Sequence, residues 1–380
     1  MDKFKNIIIG FGKAGKTLAK YLAQHDETVL LIERSKQMYG GTCINVGCLP
    51  SKNLIFNGQR GVDFTTAVNK RGEMTRQLRN KNYHMVADEP LATVWDGAAR
   101  FIDNYVLAVV MSDGTTKKVR GERIFINTGA VPNWPSIPGL EFSQRIFTSK
   151  EAMELKKQPK RLAIIGGGYI GLEFAGMFNS FGTHVTIFDQ HTRLLEREDP
   201  DIALTNRGAI QVDDHLRTTV QNIWALGDVN GGPMFTYVSL DDFRIIIDQL
   251  FGKGNRSTAD RMVIPTASFL NPPLANVGLN ERQAKSAGYD LQTFKLSVKA
   301  IPKARVLEDQ RGLYKVIVDQ KTHLILGATL YATEAHETIN LIALAMKAKL
   351  PYERLRDMIY THPTMSEALN DLFKTPVVKS

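Results

Sequence analysis

Apolar and polar positions along the chain fall into an order that occurs twice. The stretch NIIIGFGKAGKTLAKYLAQHDETVLLIER opens with an apolar run, Ile7 to Ile9, that reads as a buried strand. It passes through Gly10, Gly12 and Gly15 into a segment with helical spacing of apolar residues, then ends in a second apolar run closing on Glu33. Strand, glycine turn, helix and strand make a βαβ unit. The order returns in RLAIIGGGYIGLEFAGMFNSFGTHVTIFDQ, with Gly166, Gly168 and Gly171 after one strand and Asp189 ending the next. The separation from first glycine to terminal acid is the same in both copies. Elsewhere FIDNYVLAVVMSDGTTKKVRGERIFIN alternates as antiparallel strands do around an Asp113-Gly114 turn. LYKVIVDQKTHLILGATLYA predicts a hairpin, and EAHETINLIALAMKAK predicts a helix.

The glycines give each βαβ copy a chemistry. They permit a tight turn, close approach of backbone to a pyrophosphate and close helix packing, while the helix N-terminus offers N–H groups to phosphate. Glu33 and Asp189 stand where a carboxylate accepts hydrogen bonds from ribose hydroxyls. One glycine triplet is weak support, because such turns often only connect elements. A duplicated strand, triplet, helix, strand and acid points to two dinucleotides on one chain, and so to electron transfer between cofactors. Asp189 favours the free ribose of NADH, with Arg193 leaving NADPH open.

Composition narrows the class. With 380 residues, 43% hydrophobic and 23% charged, the chain buries a sizeable core and divides into two or three domains. No run approaches the roughly 18 apolar residues that span a bilayer, and MDKFKNIIIG lacks the features of a signal peptide, so a cytoplasmic protein without membrane attachment is expected. The net charge of +9 is dispersed and accompanied by no recognition motif. Nucleic acid is therefore not an expected partner, and a mildly basic surface suits anionic dinucleotides. Two cysteines and eight scattered histidines form neither a disulfide framework nor a zinc site, and no metal ligands are expected.

Both cysteines lie in GGTCINVGCLPSK, Gly40 to Lys52. On a regular helix Cys43 and Cys48 would stand about 7.5 Å apart along the axis, beyond the roughly 7 Å Cα limit for a disulfide. A bridge therefore needs a distorted turn. Gly47 supplies the backbone freedom, and Pro50 is tolerated where a helix is only beginning. Lys52 near a helix N-terminus favours thiolate and makes the pair reactive. The plain alternative is two buried, inert cysteines.

This stretch resembles the redox-active disulfide motif of the class I pyridine nucleotide-disulfide oxidoreductases, which include lipoamide dehydrogenase, glutathione reductase and mercuric reductase. NTGAVPNWPSIPG, NIWALGDV, NPPLANVGLNERQA and HPTMSEALNDL agree in order along the chain. GFGKAGKTLA, MYGGTCIN and FTYVSLDDFR look most similar to the family's reactive-chlorine resistance branch. The resemblance runs from residue 4 to about 373. It implies an α/β fold with two Rossmann-like dinucleotide-binding domains, for FAD and NAD(P)H, and a C-terminal α+β dimerisation domain. Residues 1–150 and 207–261 would form the FAD domain, 151–206 the NAD(P)H domain and 262–380 the interface domain.

Site roles follow by the same resemblance. Gly10, Gly12, Gly15 and Glu33, with Gly41 and Thr42, would hold FAD; Thr128 and Gly129 would line its path, and Asp228 would bond its ribitol. Gly166, Gly168, Gly171 and Asp189 would hold NAD(P)H. Cys48 would be the flavin-facing thiol and Cys43 the interchange thiol. Lys52, paired with Glu173, would lie near the flavin, and Tyr169 would shield its ring. By itself a histidine before proline reads as an ordinary loop residue. In HPTMSE, however, His362 resembles the family's acid-base histidine, oriented by Glu367 and serving the disulfide of the other subunit, which implies a homodimer. Imidazole suits such a role, because it gives and takes protons near neutral pH.

The chain departs from the family between Asp189 and RGAIQVDDHL, where residues 190–206 stand in place of the second half of the nicotinamide domain. Either the chain lacks that half, or a segment has been omitted and the numbering closed near 203–206. Intact flanking motifs and the cost of an exposed sheet edge favour omission, which a normal Cα spacing of about 3.8 Å through 202–207 would exclude. The expected activity is passage of electrons from NAD(P)H through FAD and the Cys43-Cys48 disulfide to a small disulfide or metal ion, in oxidative-stress defence. Mercury in particular is weakened, since the chain as read shows no metal-carrier domain and no C-terminal cysteine pair. The alternative is a flavin-bound redox sensor or structural module whose nicotinamide domain no longer turns over.

Overall fold

A computed structural model of the chain describes residues 1–140, 143, 145–189 and 209–377. They form two compact units, residues 1–260 and 261–380. The first unit opens with β1 (Asp2–Ile9), α1 (Lys13–Ala23) and β2 (Val29–Glu33). The cysteine stretch follows as α2 (Thr42–Asn45) and α3 (Cys48–Gln59), and then a long helix, α4 (Phe64–Ala87). Next come β3 (Ala92–Asp103), β4 (Val106–Met111), β5 (Thr116–Ile126) and the short α5 (Ser149–Met153). The second glycine unit is β6 (Arg161–Ile165), α6 (Tyr169–Ser180) and β7 (His184–Phe188), and the unit closes with β8 (Ile223–Ala225) and α7 (Thr236–Phe251).

The main sheet runs β3-β2-β1-β5-β8 with every neighbour parallel. Beyond Asp96 in β3, and from Thr116 to Arg120 in β5, these long strands pair antiparallel with β4. The expected meander is therefore built from extensions of the parallel strands, turning at Gly114, whose φ of +83° suits glycine. Apolar runs in β1 and β2 are continuous because both sheet faces are covered. Ile8 and Leu31 pack with Leu18, Leu22, Phe243 and Ile246 from the helices. Ile7, Leu30 and Ile32 pack on the other face with Leu107, Val109 and Val119.

Among the described residues the second glycine unit is a two-stranded parallel sheet, β6 with β7. Burial alternates along both strands, and Ile165 and Phe188 stay 58% and 57% exposed. The join at 202–207, where omission would be read from Cα spacing, lies outside the described residues, as does Arg193.

The second unit contains β9 (Thr266–Ser268), β10 (Leu274–Gly278), α8 (Glu281–Ser286), β11 (Leu291–Ser297), α9 (Pro302–Val306), β12 (Leu313–Asp319) and β13 (Ile325–Tyr331). It ends in α10 (Ala335–Lys347), α11 (Glu353–Arg356) and α12 (Ala368–Leu372). Its five strands form an antiparallel sheet, β11-β12-β13-β10-β9, with the expected hairpin at β12-β13 and the expected helix at α10. Tyr314, Val316, Leu330, Ile339 and Phe373 form its core. The mixed α/β fold class read from the sequence is the one the chain adopts.

Candidate active site

The two glycine turns have matching geometry. Gly10 and Gly166 take φ of +105° and +107°, left-handed conformations that a side chain would strain. A Cβ on Gly15 would lie 2.6 Å from the Gly10 carbonyl oxygen, and one on Gly171 would lie 2.0 Å from that of Gly166. The terminal acids also match: Glu33 accepts from the N–H of Phe11 at 3.0 Å, and Asp189 accepts from the equivalent N–H of Gly167. Both helices begin at a glycine, Gly12 or Gly168, with no side-chain cap and no acid in the first turn. Two uncapped, glycine-bordered helix starts, each facing a strand-end carboxylate, fit the diphosphate and ribose of a dinucleotide.

The first turn is tied to the rest of its sheet by a residue to which sequence reasoning assigned no role. Asn127, at the end of β5, accepts from the Gly15 N–H at 2.9 Å and donates to the Leu226 carbonyl at 2.7 Å. Thr128 and Gly129 follow it directly, with Gly129 at φ +71°. Asp228 sits in the turn after β8, held by buried Asp242, whose carboxylate accepts from the Gly227 N–H at 2.6 Å. Burial, and then the charge of Asp242, pushes the Asp228 carboxyl above its ordinary range.

The cysteine stretch lies against the same turn. Gly41 has φ +79°, and a Cβ there would come within 2.7 Å of Gly12 Cα. Thr42 is exposed at the start of α2. Asn45, 3% exposed, fixes the loop by donating to the Tyr39 and Gly41 carbonyls and accepting from Arg79. Gly47 caps α3, so Cys48 is that helix's first residue and Pro50 lies within its first turn, where the missing N–H removes no helical bond. Cys43 and Cys48 are both thiols.

The two cysteine side chains are hydrogen-bonded to each other. A hydrogen bond from Cys48 holds the Cys43 thiol down to about 6 against the effect of burial, with help from Thr236, the Lys16 ammonium and the Leu49 N–H at the start of α3. Cys48, as the donor in that bond, is pushed far up, first by the bond and then by loss of solvation around its sulfur. Thr236, the first residue of α7, places its hydroxyl 4.0 Å from Cys48 Sγ.

Lys52 reaches Glu173 on α6 at 2.6 Å, and the Glu173 side chain is only 5% exposed. Tyr169, at the start of the same helix, is half exposed; burial, Glu173, Cys48 and Asp228 raise its hydroxyl pKa in that order. Tyr237 stacks on Phe235 and is pushed up to about 12 by burial and by Cys48. The structure therefore gathers Gly12, Gly41, Cys43, Cys48, Lys52, Glu173 and Tyr169 on one unit, and adds Asn127, Thr236, Tyr237 and Lys16. The stretches NTGAVPN and FTYVSLDD contain Asn127, Thr236 and Tyr237, but their partners lie far along the chain.

In the second unit His362 Nδ1 lies 2.8 Å from Glu367 Oε2, and the other oxygen of Glu367 accepts from the Thr364 N–H at 3.2 Å. The imidazole is 68% exposed and the carboxylate 17%. A proton on Nδ1 directed at Glu367 leaves Nε2 available for exchange. Among the described residues no group of three or more His, Cys, Asp or Glu could hold a metal ion, and no helix is long and apolar enough to cross a membrane.

Similarity to known proteins gives the family. Residues 4–204 and 197–242 match the pyridine nucleotide-disulphide oxidoreductase family model, and residues 264–373 match the family's dimerisation domain. The chain belongs to this family. It is 44% identical over 438 residues to RclA of Escherichia coli, described as a probable pyridine nucleotide-disulfide oxidoreductase, covering 98% of this chain and 99% of the relative. A mercuric reductase of Lysinibacillus sphaericus is 30% identical over 454 residues, 97% of this chain and 82% of the relative. A solved Cu(II) complex of the HOCl-induced flavoprotein disulfide reductase RclA from Escherichia coli superposes with a TM-score of 0.95 over 98% of this chain and 99% of that one, at 44% identity. The aligned stretch of 438 is longer than this chain's 380 residues, so RclA carries residues with no counterpart here. The two pieces of the first family match meet at 197–204, in the shortened stretch.

Proposed function

We propose that the protein oxidises NAD(P)H, preferring NADH, and reduces a Cys43-Cys48 disulfide that in turn reduces a small disulfide or a redox-active metal ion. The observation carrying this reading is the pair of hydrogen-bonded cysteines at the start of α3, beside the Gly12 turn and the Lys52-Glu173 pair. Bound FAD would supply a two-electron carrier between the nicotinamide and the disulfide. Two electrons and two protons, one from NAD(P)H and one from solvent, break the S–S bond and leave two thiols. The bond re-forms when the pair gives two electrons to the acceptor.

The chain's residues divide the remaining work. Gly10, Gly12, Gly15, Glu33, Gly41, Thr42, Thr128, Gly129 and Asp228 would hold FAD; Gly166, Gly168, Gly171 and Asp189 would hold the adenosine part of NAD(P)H, and Tyr169 would shield the flavin. Cys43 meets the acceptor, its thiolate favoured near neutral pH. His362, oriented by Glu367, supplies and removes protons at the Cys43 of the other subunit. A homodimer is supported by the dimerisation-domain match and by the exposure of Met358 and Ile359 near His362, at 44% and 95%. The likeness to HOCl-induced RclA supports a role in oxidative-stress defence, and its Cu(II) complex and the mercuric reductases support a metal-ion acceptor.

The shortened second glycine unit favours one rival, a flavin-bound sensor that does not turn over. Anaerobic titration of the flavin-loaded protein with NADH and NADPH separates them. The proposal expects rapid bleaching, at lower concentration with NADH. No bleaching with either nucleotide overturns it and leaves the sensor.

A further inference from the structure

Lys16 is a buried cation that the reading above does not use. It lies on α1, one turn after Gly12, and is 4% exposed. Fully buried lysines are rare unless paired. Its ammonium donates to the side-chain oxygen of Asn82 on α4, and among the described residues no carboxylate pairs with it. Both groups lie under the cysteine loop. Gly41 abuts Gly12, and a Cβ on Gly40 would come within 3.3 Å of Asn82 Cβ and Cγ. The loop that bears Cys43 thus rests on α1 and α4 where the lysine is anchored.

We propose that Lys16 is the counter-cation of the Cys43 thiolate, a positioning residue held under the loop by Asn82 that keeps this sulfur ionised and ready to attack. The groups acting on Cys43 come from three helices: Lys16 from α1, Cys48 and the Leu49 N–H from α3, and Thr236 from α7. Lys16 itself faces Lys13 and Cys43. Burial and then Lys13 hold it down to about 8, while Cys43 raises it. Between about pH 6 and 8 the lysine is therefore charged while the sulfur is ionised.

The inference deepens the redox reading and rests on it, but its test does not use turnover. The purified protein is reduced, freed of reductant and alkylated with iodoacetamide across pH 5 to 9, with Cys43 and Cys48 followed separately by peptide mass spectrometry. For Lys16→Met the Cys43 profile should move to higher pH, with a rate at pH 5 lower by roughly tenfold, the change that one unit in a thiol pKa produces below that pKa. Lys16→Arg should keep the wild-type profile. Asn82→Asp, which neutralises the lysine in place, should shift it as Lys16→Met does and serves if that variant does not fold. Superimposable profiles for Lys16→Met, Asn82→Asp and wild type overturn the inference, as does an equal shift in Lys16→Arg. Failure of NAD(P)H to reduce the cysteines would instead sink the redox reading, whatever the alkylation profiles.

Discussion

The sulfur that ionises and the sulfur that keeps the proton are separated by one helix start. Cys43 receives the hydrogen bond from Cys48 and the N–H of Leu49, whereas Cys48 is the helix's own first residue. Replacing Cys43 by Ser should preserve flavin reduction by NADH and abolish transfer to acceptor, as read by stopped-flow and steady-state assays; retained turnover with disulfides or metals would contradict its role. His362→Ala should slow thiol exchange by about 100-fold, the scale of general acid-base catalysis, with little change in hydride transfer. Equal losses in both half-reactions would contradict that assignment. Lys16 carries a stability cost with a definite sign. Its folded pKa, about 8, lies below the ordinary lysine value, so its charge disfavours the fold at neutral pH and the penalty fades as pH rises from about 8 through 10.5. Lys16→Met should therefore raise Tm at pH 7, by an increment that shrinks at pH 10. An increment independent of pH would show that the lysine's charge is not the cause.

Helices and strands set these residues in place, and they differ in how readable they are from sequence. Both glycine turns, the β12-β13 hairpin and α10 follow from apolar periodicity and turn residues, because local backbone preference and burial agree there. The β3 and β5 strands are harder, since one continuous strand pairs parallel at one end and antiparallel at the other. Asn127 ties Gly15 to Leu226 across more than ninety residues, and no local pattern encodes that. Thr236 and Lys16 are equally silent, because each matters through a partner on another helix. The Asn127 tie is testable: Asn127→Leu removes the acceptor for Gly15 N–H and the donor to Leu226, and should cost about 2 kcal/mol in urea unfolding together with flavin affinity. Unchanged stability and flavin content would show that the tie is incidental. Lys52→Met should likewise destabilise the α3-α6 packing by on the order of 3 kcal/mol, since it takes the cation from a carboxylate that is 5% exposed, and Glu173→Gln in the same protein should restore most of it.

At the scale of the whole chain, the family resemblance in the cysteine and histidine motifs carried further than periodicity, because the two motifs lie in separate units that no local pattern connects. If His362 of one subunit serves the cysteines of the other, mixing Cys43→Ser and His362→Ala dimers under exchange should regenerate about a quarter of wild-type turnover, from the one complete site in each mixed dimer. No recovery would place each histidine with its own cysteines or outside the reaction. Hydride delivery is the step that sets the enzyme apart from a sensor. The account therefore stands most directly on differential alkylation of the oxidised, flavin-loaded protein before and after one equivalent of NADH under anaerobic conditions, read by peptide mass spectrometry. It predicts that Cys43 resists alkylation before NADH and is alkylated after it. Equal alkylation of Cys43 with and without NADH would contradict it.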